Sequence, residues 1–214
     1  MNRYWPLFDL RLATPELELR PLCEADLGPL SDLLPPDVEL DPQATTYDIA
    51  DPATSRGIVL HQSYWRGYGT WQVSAWRLSF AVRHGGTLIG VQELEGNDFP
   101  RLGTVDTSSF LVSEARGLGH GKEMREAVLA LAFGPMAARQ AITSAWHDNT
   151  ASLGVSRALG YEPNGEHLHA HGDAVDVMVH LRLRREDWLA RSGGEDVTVS
   201  GFEPCRHLFG LPRG

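Results

Sequence analysis

The sequence has little cysteine and no long apolar run, and both shortages narrow the class of protein. Its 214 residues include two cysteines, Cys23 and Cys205, far apart in the chain. They form neither the CxxC pairs of a thiolate zinc site nor the dense pattern of a disulfide framework. No stretch approaches the roughly 18 apolar residues of a membrane-spanning helix, and residues 1–12 lack the apolar core of a signal peptide. We therefore expect a cytoplasmic protein without membrane contact.

Positive charge is also scarce. The chain carries 19 Lys and Arg against 28 Asp and Glu, which gives a formal net charge of -9. An acidic protein lacks the basic surface that attracts nucleic acid, so we exclude a nucleic-acid partner and favour a cationic one such as an amine. Apolar residues make up 42% of the chain, which suffices for the core of one domain.

Alternating and helical patterns succeed one another along the chain. Alternation predicts strands at 17–22, 77–82, 87–94, 103–112, 141–146 and 175–183. Helical spacing predicts helices at 25–34, 123–133 and 151–159, whereas 37–56 is predicted to be a loop. Segment 61–76 has helical spacing interrupted by Gly67 and Gly69. Antiparallel hairpins followed by a strand-loop-helix-strand unit predict a mixed α/β fold.

The last residues form a tail beyond this pattern. We predict one domain over 1–191 and a tail over 192–214 that carries Val197, Val199, Phe202, Leu208 and Phe209. Because these apolar residues follow the closing strand, they would be exposed on a monomer. The tail is therefore predicted to form a subunit interface, and the protein a homo-oligomer.

Glycines cluster between the strand at 103–112 and the helix at 123–133, in the segment Arg116-Gly117-Leu118-Gly119-His120-Gly121-Lys122. The first turn of a helix has free N–H groups and the positive end of the helix dipole, and glycines let a phosphate approach the backbone. A pyrophosphate site is the functional interpretation, and a plain strand-helix turn is the alternative. The spacing fits neither a Walker loop, because Glu123 follows Lys122, nor a Rossmann loop.

The segment does fit the pattern R/Q-x-x-G-x-G/A, with Arg116, Gly119 and Gly121. With Asn149 and Ser152, and the helix end Leu159-Gly160-Tyr161, the chain resembles the GNAT acyltransferase superfamily, in particular its RimJ/RimL-like branch. The start at 4–11 and the tail also resemble an actinobacterial subgroup that includes a protein described as a succinyl-CoA transferase.

The resemblance implies a twisted, mostly antiparallel sheet with a splayed central strand pair and flanking helices. It implies transfer of an acetyl or succinyl group from acetyl-CoA or succinyl-CoA to a primary amine, on a small molecule or a protein N-terminus, without a metal. The amine attacks the thioester directly through a tetrahedral intermediate. The CoA-binding residues implied are Phe110, Leu111, Val112, Arg116, Gly117, Leu118, Gly119, His120, Gly121, Lys122, Asn149 and Ser152. A backbone N–H of Phe110 or Leu111 would hold the oxyanion.

The catalytic candidates lie near the same strand. Asp106 is the first choice for the base that deprotonates the amine, although a structural Asp at a strand start is the alternative. Ser108 and Ser109 could orient the substrate. Many members have a Tyr that reprotonates the thiolate, and Ser156 occupies that position here. A non-catalytic acyl-CoA-binding module on the same fold remains the second functional hypothesis.

A group of histidines follows the last predicted helix. Because no carboxylate or Cys completes a ligand set at fixed spacing, we interpret these histidines as part of a solvent-facing strand and turn. They are His167, His169, His171 and His180.

Overall fold

One nine-stranded sheet organises the molecule. A computed structural model describes residues 3–38, 45, 51–171, 174–191 and 193–212, and its strands are arranged in the order β7-β8-β6-β5-β4-β3-β2-β1-β9. The strands are β1 Arg11–Ala13, β2 Leu17–Pro21, β3 Ala75–His84, β4 Thr87–Asn97, β5 Thr104–Leu111, β6 Gln140–Trp146, β7 Glu162–His171, β8 Ala174–Arg184 and β9 Thr198–Ser200. Neighbours are antiparallel except for β5 and β6, which are parallel.

Helices cover both faces of the sheet. They are α1 Glu24–Leu33, α2 Pro52–Gly69, α3 Phe99–Leu102, α4 His120–Phe133, α5 Thr150–Ala158, α6 Arg185–Ala190 and α7 Phe202–Cys205. Single turns of 3-10 helix occupy Pro6–Asp9, Ser113–Ala115 and Arg206–Phe209. None of the helices in the described ranges is long and apolar enough to cross a membrane. The mixed α/β prediction is confirmed.

The parallel pair β5 and β6 separates part-way along its length. The two strands pair only from Thr104 with Gln140 to Asp106 with Ile142. The Thr143 hydroxyl then donates to the Thr107 carbonyl at 2.8 Å, and beyond this point no pairing joins the strands. On its other side β5 stays paired with β4 as far as Leu111. The sheet therefore opens on one side of β5, which is the splayed central pair that the resemblance implies.

Two apolar clusters pack on opposite faces of the sheet. The larger one joins Met124 and Val128 of α4 to Val105 and Leu111 of β5. The smaller one joins Leu27 and Leu30 of α1 to Val91 of β4, with Phe110 and Tyr64 against it. Successive residues of a strand face opposite sides, so Asp106, Ser108 and Phe110 face α1 and α2. Thr107, Ser109 and Leu111 face α4.

The prediction of a loop over 37–56 is wrong at its end, and residues 39–44 and 46–50 lie outside the described residues. Helix α2 begins at Pro52 because the Asp51 carboxylate accepts the N–H groups of Ala53 and Thr54, and proline fits the first helical position. The two glycines near its end do not interrupt the helix. His167 and His169 lie in strand β7, which pairs with β8, so the predicted strand at these histidines is confirmed.

The expectation that the tail's apolar residues are exposed on a monomer is wrong. Phe202 and Phe209 are buried in the larger cluster, and Val197, Val199 and Leu208 pack against it. Strand β9 extends the sheet by pairing with β1, and the Trp71 indole N–H donates to the Leu208 carbonyl at 2.9 Å. The tail completes the core of its own chain, so its apolar residues no longer argue for a subunit interface.

Candidate active site

The glycine-rich loop ends at the first turn of α4, beside the opening of the sheet. Gly117 and Gly119 have φ angles of 75° and 93°, a conformation that residues with a side chain rarely adopt. A Cβ atom at either position would meet no neighbour within 4 Å. Gly119 is the N-cap of α4. Within the described chain, the N–H groups of Leu118, Gly119, His120 and Gly121 have no backbone acceptor. The loop thus presents free donors and the positive end of the helix dipole to open space.

The side chains of this segment have different surroundings. Arg116 donates from Nε to the Leu111 carbonyl at 3.1 Å and makes a two-point contact with Asp37 at 2.7 and 2.9 Å. It therefore ties the loop to the end of β5. The His120 ring is buried against His84, so only its backbone N–H faces the loop. Lys122 and Leu118 are exposed.

The backbone of β5 offers hydrogen-bonding groups to the opening. The Val112 N–H donates to Ile89 of β4 at 2.9 Å, and the Thr107 carbonyl accepts from Thr143 of β6. Because these groups alternate along a strand, the N–H of Phe110 faces β4, whereas those of Ser109 and Leu111 face the opening. Of the two oxyanion candidates from the sequence, the geometry favours Leu111 over Phe110.

Helix α5 forms the other wall of the opening. The Asn149 side chain accepts the Ser152 N–H at 3.0 Å, so it caps this helix. Ser156 is 1% exposed, and its hydroxyl donates to the Ser152 carbonyl at 3.0 Å while it accepts from Arg125 at 2.8 Å. The hydroxyl proton of Ser156 is therefore occupied within the helix.

A cavity of about 810 Å³ lies on the face of the sheet opposite α4. Helix α2 contributes Arg66 and β3 contributes Trp76 and Arg77, while Glu95 of β4 and Asp106 of β5 lie on its floor. Asp106 is the last residue of β5 that pairs with β6, so it sits where the sheet begins to open. The cavity thus lies on one face of the splayed pair, and the loop lies on the other face.

Two carboxyl groups in this cavity have pKa values near neutral pH. Burial raises the pKa of Asp106 to about 6, against the lowering effects of the Thr107 N–H and the Arg125 charge. Burial also raises the pKa of Glu95 to about 7, although the Arg77 guanidinium lies 3.0 Å away and opposes the shift. Glu95 is the cross-strand partner of Asp106. Groups with such pKa values can accept a proton from an ammonium at neutral pH.

Ser108 lies on the same face as Asp106 but is engaged with another acid. Its hydroxyl donates to Glu93 Oε2 at 2.9 Å, and Ser79 donates to the other oxygen of Glu93 at 2.7 Å. These two hydrogen bonds fix the Glu93 side chain beside Ser108, its cross-strand partner. The structure therefore brings Asp106 and Ser108 together with two acids, Glu93 and Glu95.

A buried guanidinium lies on the opposite face. Arg125 of α4 is 3% exposed and donates to Ser156 at 2.8 Å and to Ser109 at 3.3 Å. Burial lowers the pKa of this guanidinium below its ordinary value, against the opposing influence of Tyr161 and Asp106. Its Nε atom is buried and has no partner in the described part of the chain.

A family model described as the acetyltransferase (GNAT) domain matches residues 16–162, which include the loop, the splayed pair and α5. The chain belongs to the GNAT acetyltransferase family. Residues 163–212 add β8, α6, β9 and α7 and nearly all of β7 outside that match.

Solved structures share the GNAT fold. A protein described as an acetyltransferase from T. thermophilus has a TM-score of 0.66 and 19% identity over 84% of this chain and 92% of its own. A variant of the spermidine N-acetyltransferase SpeG from Vibrio cholerae gives 0.65 and 16% over 83% and 98%. RimL, a ribosomal L7/L12 alpha-N-protein acetyltransferase in complex with coenzyme A, gives 0.63 and 15% over 81% and 97%. At these low sequence identities, the similarity shows a shared fold and does not extend to function.

Two side chains of this GNAT site were missed from the sequence. Glu95 lies two residues after Glu93 on an alternating strand, so both acids were predictable on one face. The pairing of Glu93 with Ser108 and of Glu95 with Asp106 required the register of β4 against β5. Arg125 gave no signal, because a single Arg within an amphipathic helix ordinarily faces solvent.

Proposed function

We propose that the protein transfers an acyl group from acyl-CoA to a primary amine. The observation that carries the proposal is the meeting of two features at the splayed pair: free N–H donors of the glycine-rich loop on one side, and Asp106 at the floor of a cavity on the other. The CoA pyrophosphate would bind Leu118 to Gly121, and the pantetheine arm would lie along the open edge of β5. Asn149, the N-cap of α5, and Ser152, in its first turn, would hydrogen-bond the arm.

In this proposal Asp106 receives the proton of the incoming ammonium, directly or through water. The neutral amine attacks the thioester carbon and forms a tetrahedral intermediate, whose oxyanion would be held by the N–H of Ser109 or Leu111. The attacking nitrogen loses its second proton to solvent, and the intermediate collapses to the amide and the CoA thiolate. Glu95, beside Asp106, is the competing candidate for the base. Ser108 is engaged with Glu93 and would orient the acceptor.

The acceptor we propose is a cationic amine, on a small molecule or at a protein N-terminus. The acids of the cavity floor, Glu95 and Asp106, together with nearby Glu93, would attract an ammonium. Neighbours of the same fold are named for both acceptor types, spermidine for SpeG and a ribosomal protein N-terminus for RimL. Self-association stays a prediction.

The donor is acetyl-CoA or succinyl-CoA. A succinyl carboxylate would need a cation, and the arginines considered from the sequence now differ in position. Arg66 and Arg77 line the cavity. Arg83 binds Asp26 at 2.8 Å, and Arg101 binds Asp98 at 2.8 Å at the surface. Arg66 and Arg77 are therefore the candidates for a succinyl preference, and a comparison of the two donors tests it.

The test is release of free CoA from acetyl-CoA and succinyl-CoA with a panel of amines that includes spermidine and an N-terminal peptide. Asp106→Asn should lower turnover at pH 7 by about 10²- to 10⁴-fold while CoA affinity is kept. The loss should shrink as the pH approaches the amine pKa of about 10.4, where the acceptor deprotonates unaided.

Asp187→Asn is the matched control, because Asp187 lies in α6, outside the cavity. If Asp106→Asn keeps full turnover at pH 7 and Glu95→Gln loses it, the base is Glu95. If the wild-type protein binds CoA but releases none with any amine, the non-catalytic acyl-CoA-binding module replaces the enzyme.

A further inference from the structure

Arg125 is a buried cation whose charge is influenced by Asp106 on the opposite face but which contacts no carboxylate directly in the described part of the chain. Its side chain is 3% exposed, and its two hydrogen bonds go to neutral hydroxyls, those of Ser156 and Ser109. No ion pair involves it within the described ranges, and its Nε has no acceptor. Burying a charge costs several kcal/mol, and Asp106 offsets part of that cost without a direct contact, so the unpartnered Nε points to an anion bound at this site.

The position of Arg125 indicates where that anion would be. Ser109 lies two residues beyond Thr107, where β5 has already parted from β6, and Ser156 lies on α5 at the other wall. The guanidinium therefore bridges the two walls of the opening on the α4 face. Asp106 lies at the start of the same opening on the opposite face. A thioester threaded between the strands would have the amine on one side and this cation on the other.

Ser156 cannot supply a proton in this arrangement. Its hydroxyl already donates to the Ser152 carbonyl at 3.0 Å and accepts from Arg125. It can hold the guanidinium in place, but its one hydrogen is engaged in the helix. Arg125 itself has more N–H donors than partners, because its Nε has none in the described part of the chain.

We propose that Arg125 binds the CoA sulfur and stabilises the thiolate as it leaves, with Ser109 and Ser156 as positioning residues. The inference rests on the proposed acyl transfer. In the step, the C–N bond forms from the amine lone pair, and the C–S bond breaks with its electron pair on sulfur. The ammonium proton goes to the base of the cavity, and the second proton that the attacking nitrogen loses goes to solvent. Arg125 stays protonated and lowers the energy of the developing S⁻ through charge and hydrogen bonding.

The test measures the thiol of bound product CoA. We expect the thiol pKa in the wild-type complex, followed by thiolate absorbance, to lie below the ordinary value of about 8.5. Arg125→Met should raise that pKa by about 1 to 3 units and lower kcat by about 10²- to 10³-fold, with little change in CoA affinity. A CoA analogue without sulfur serves as the blank for Cys23 and Cys205.

Two further variants keep the test decisive. Arg125→Lys retains a charge and should restore part of the lowering of the thiol pKa. It also provides a second test if Arg125→Met does not fold. Arg185→Met is the matched control, since Arg185 donates to the Phe133 carbonyl at 2.8 Å at the far end of α4. It should leave the bound thiol unchanged.

The outcomes separate this inference from the proposed function. Wild-type protein that does not bind CoA contradicts both. Wild-type protein that binds CoA and turns over, with a thiol pKa that is the same in wild type, Arg125→Met and Arg125→Lys, overturns the role of Arg125 alone. Loss of CoA affinity in Arg125→Met without a thiol shift also overturns it, because Arg125 would then bind another part of the cofactor.

Discussion

Removal of the Phe209 side chain tests whether the tail belongs to the core of its own chain. Phe209 is fully buried and meets Trp76 at 4.9 Å and Trp71 at 5.5 Å between ring centroids, both edge to face. Burial of about 200 Å² of aromatic surface at about 25 cal/mol per Å² stabilises by about 5 kcal/mol. Phe209→Ala should therefore lower the free energy of unfolding by about 3 to 5 kcal/mol, the range of buried Phe to Ala changes.

Urea unfolding at two protein concentrations measures this loss. The loss should be the same at both concentrations, because every partner of Phe209 named above lies in one chain. Leu189→Ala is the control, since Leu189 is 51% exposed and should change stability by no more than about 0.5 kcal/mol. A loss below about 1 kcal/mol, or one that appears only when dilution dissociates an oligomer, would refute the packing of the tail described here.

Two other predictions address the loop and an ion pair. Gly121→Val should leave the fold intact, because a Cβ atom there meets Val155 at an ordinary 3.6 Å. It should weaken CoA binding about a hundredfold in calorimetry. Unchanged CoA affinity, or equal weakening in the control Gly28→Val, would contradict the phosphate site. Asp26 is buried; burial alone would raise its pKa, but hydrogen bonds from Cys23 and the charges of Arg20 and Arg83 lower it overall. The contribution of Asp26 to stability is thus present above about pH 4, near the pKa of Asp in the unfolded chain, and is lost on further acidification. Asp26→Asn should therefore lower the free energy of unfolding by about 3 kcal/mol at pH 7 and by progressively less below about pH 4. A loss of stability that is independent of pH would contradict this coupling between stability and protonation.

The cofactor side of the fold was predictable because its signals are local. Glycines at Gly117 and Gly119 mark backbone conformations that other residues avoid, and the helix that follows has regular apolar spacing. The strand before the loop was predicted at 103–112 and runs from Thr104 to Leu111. These features depend on residues that are consecutive in the chain, so the sequence predicts them well.

The acceptor side was less predictable because it depends on contacts between distant segments. Whether Glu95 lies beside Asp106 is decided by the register of two strands, which the alternation of either strand alone does not fix. The burial of Arg125 depends on α5 covering it, about 30 residues further along the chain. The burial of Phe209 depends on Trp71 and Trp76, more than 130 positions before it.

The aromatic stack around Trp76 connects the cavity to a part of the chain outside the shared domain. Trp76 lines the acceptor cavity, and it is held from behind by Phe209, which lies outside the GNAT match at 16–162. The loop and the splayed strands lie inside that match. In the proposed function, the donor site would thus lie within the shared domain, whereas one wall of the acceptor cavity would rest on a flanking extension. Changes in that extension would then alter which amine is accepted without changing the loop, so substrate choice and cofactor use would be separable traits.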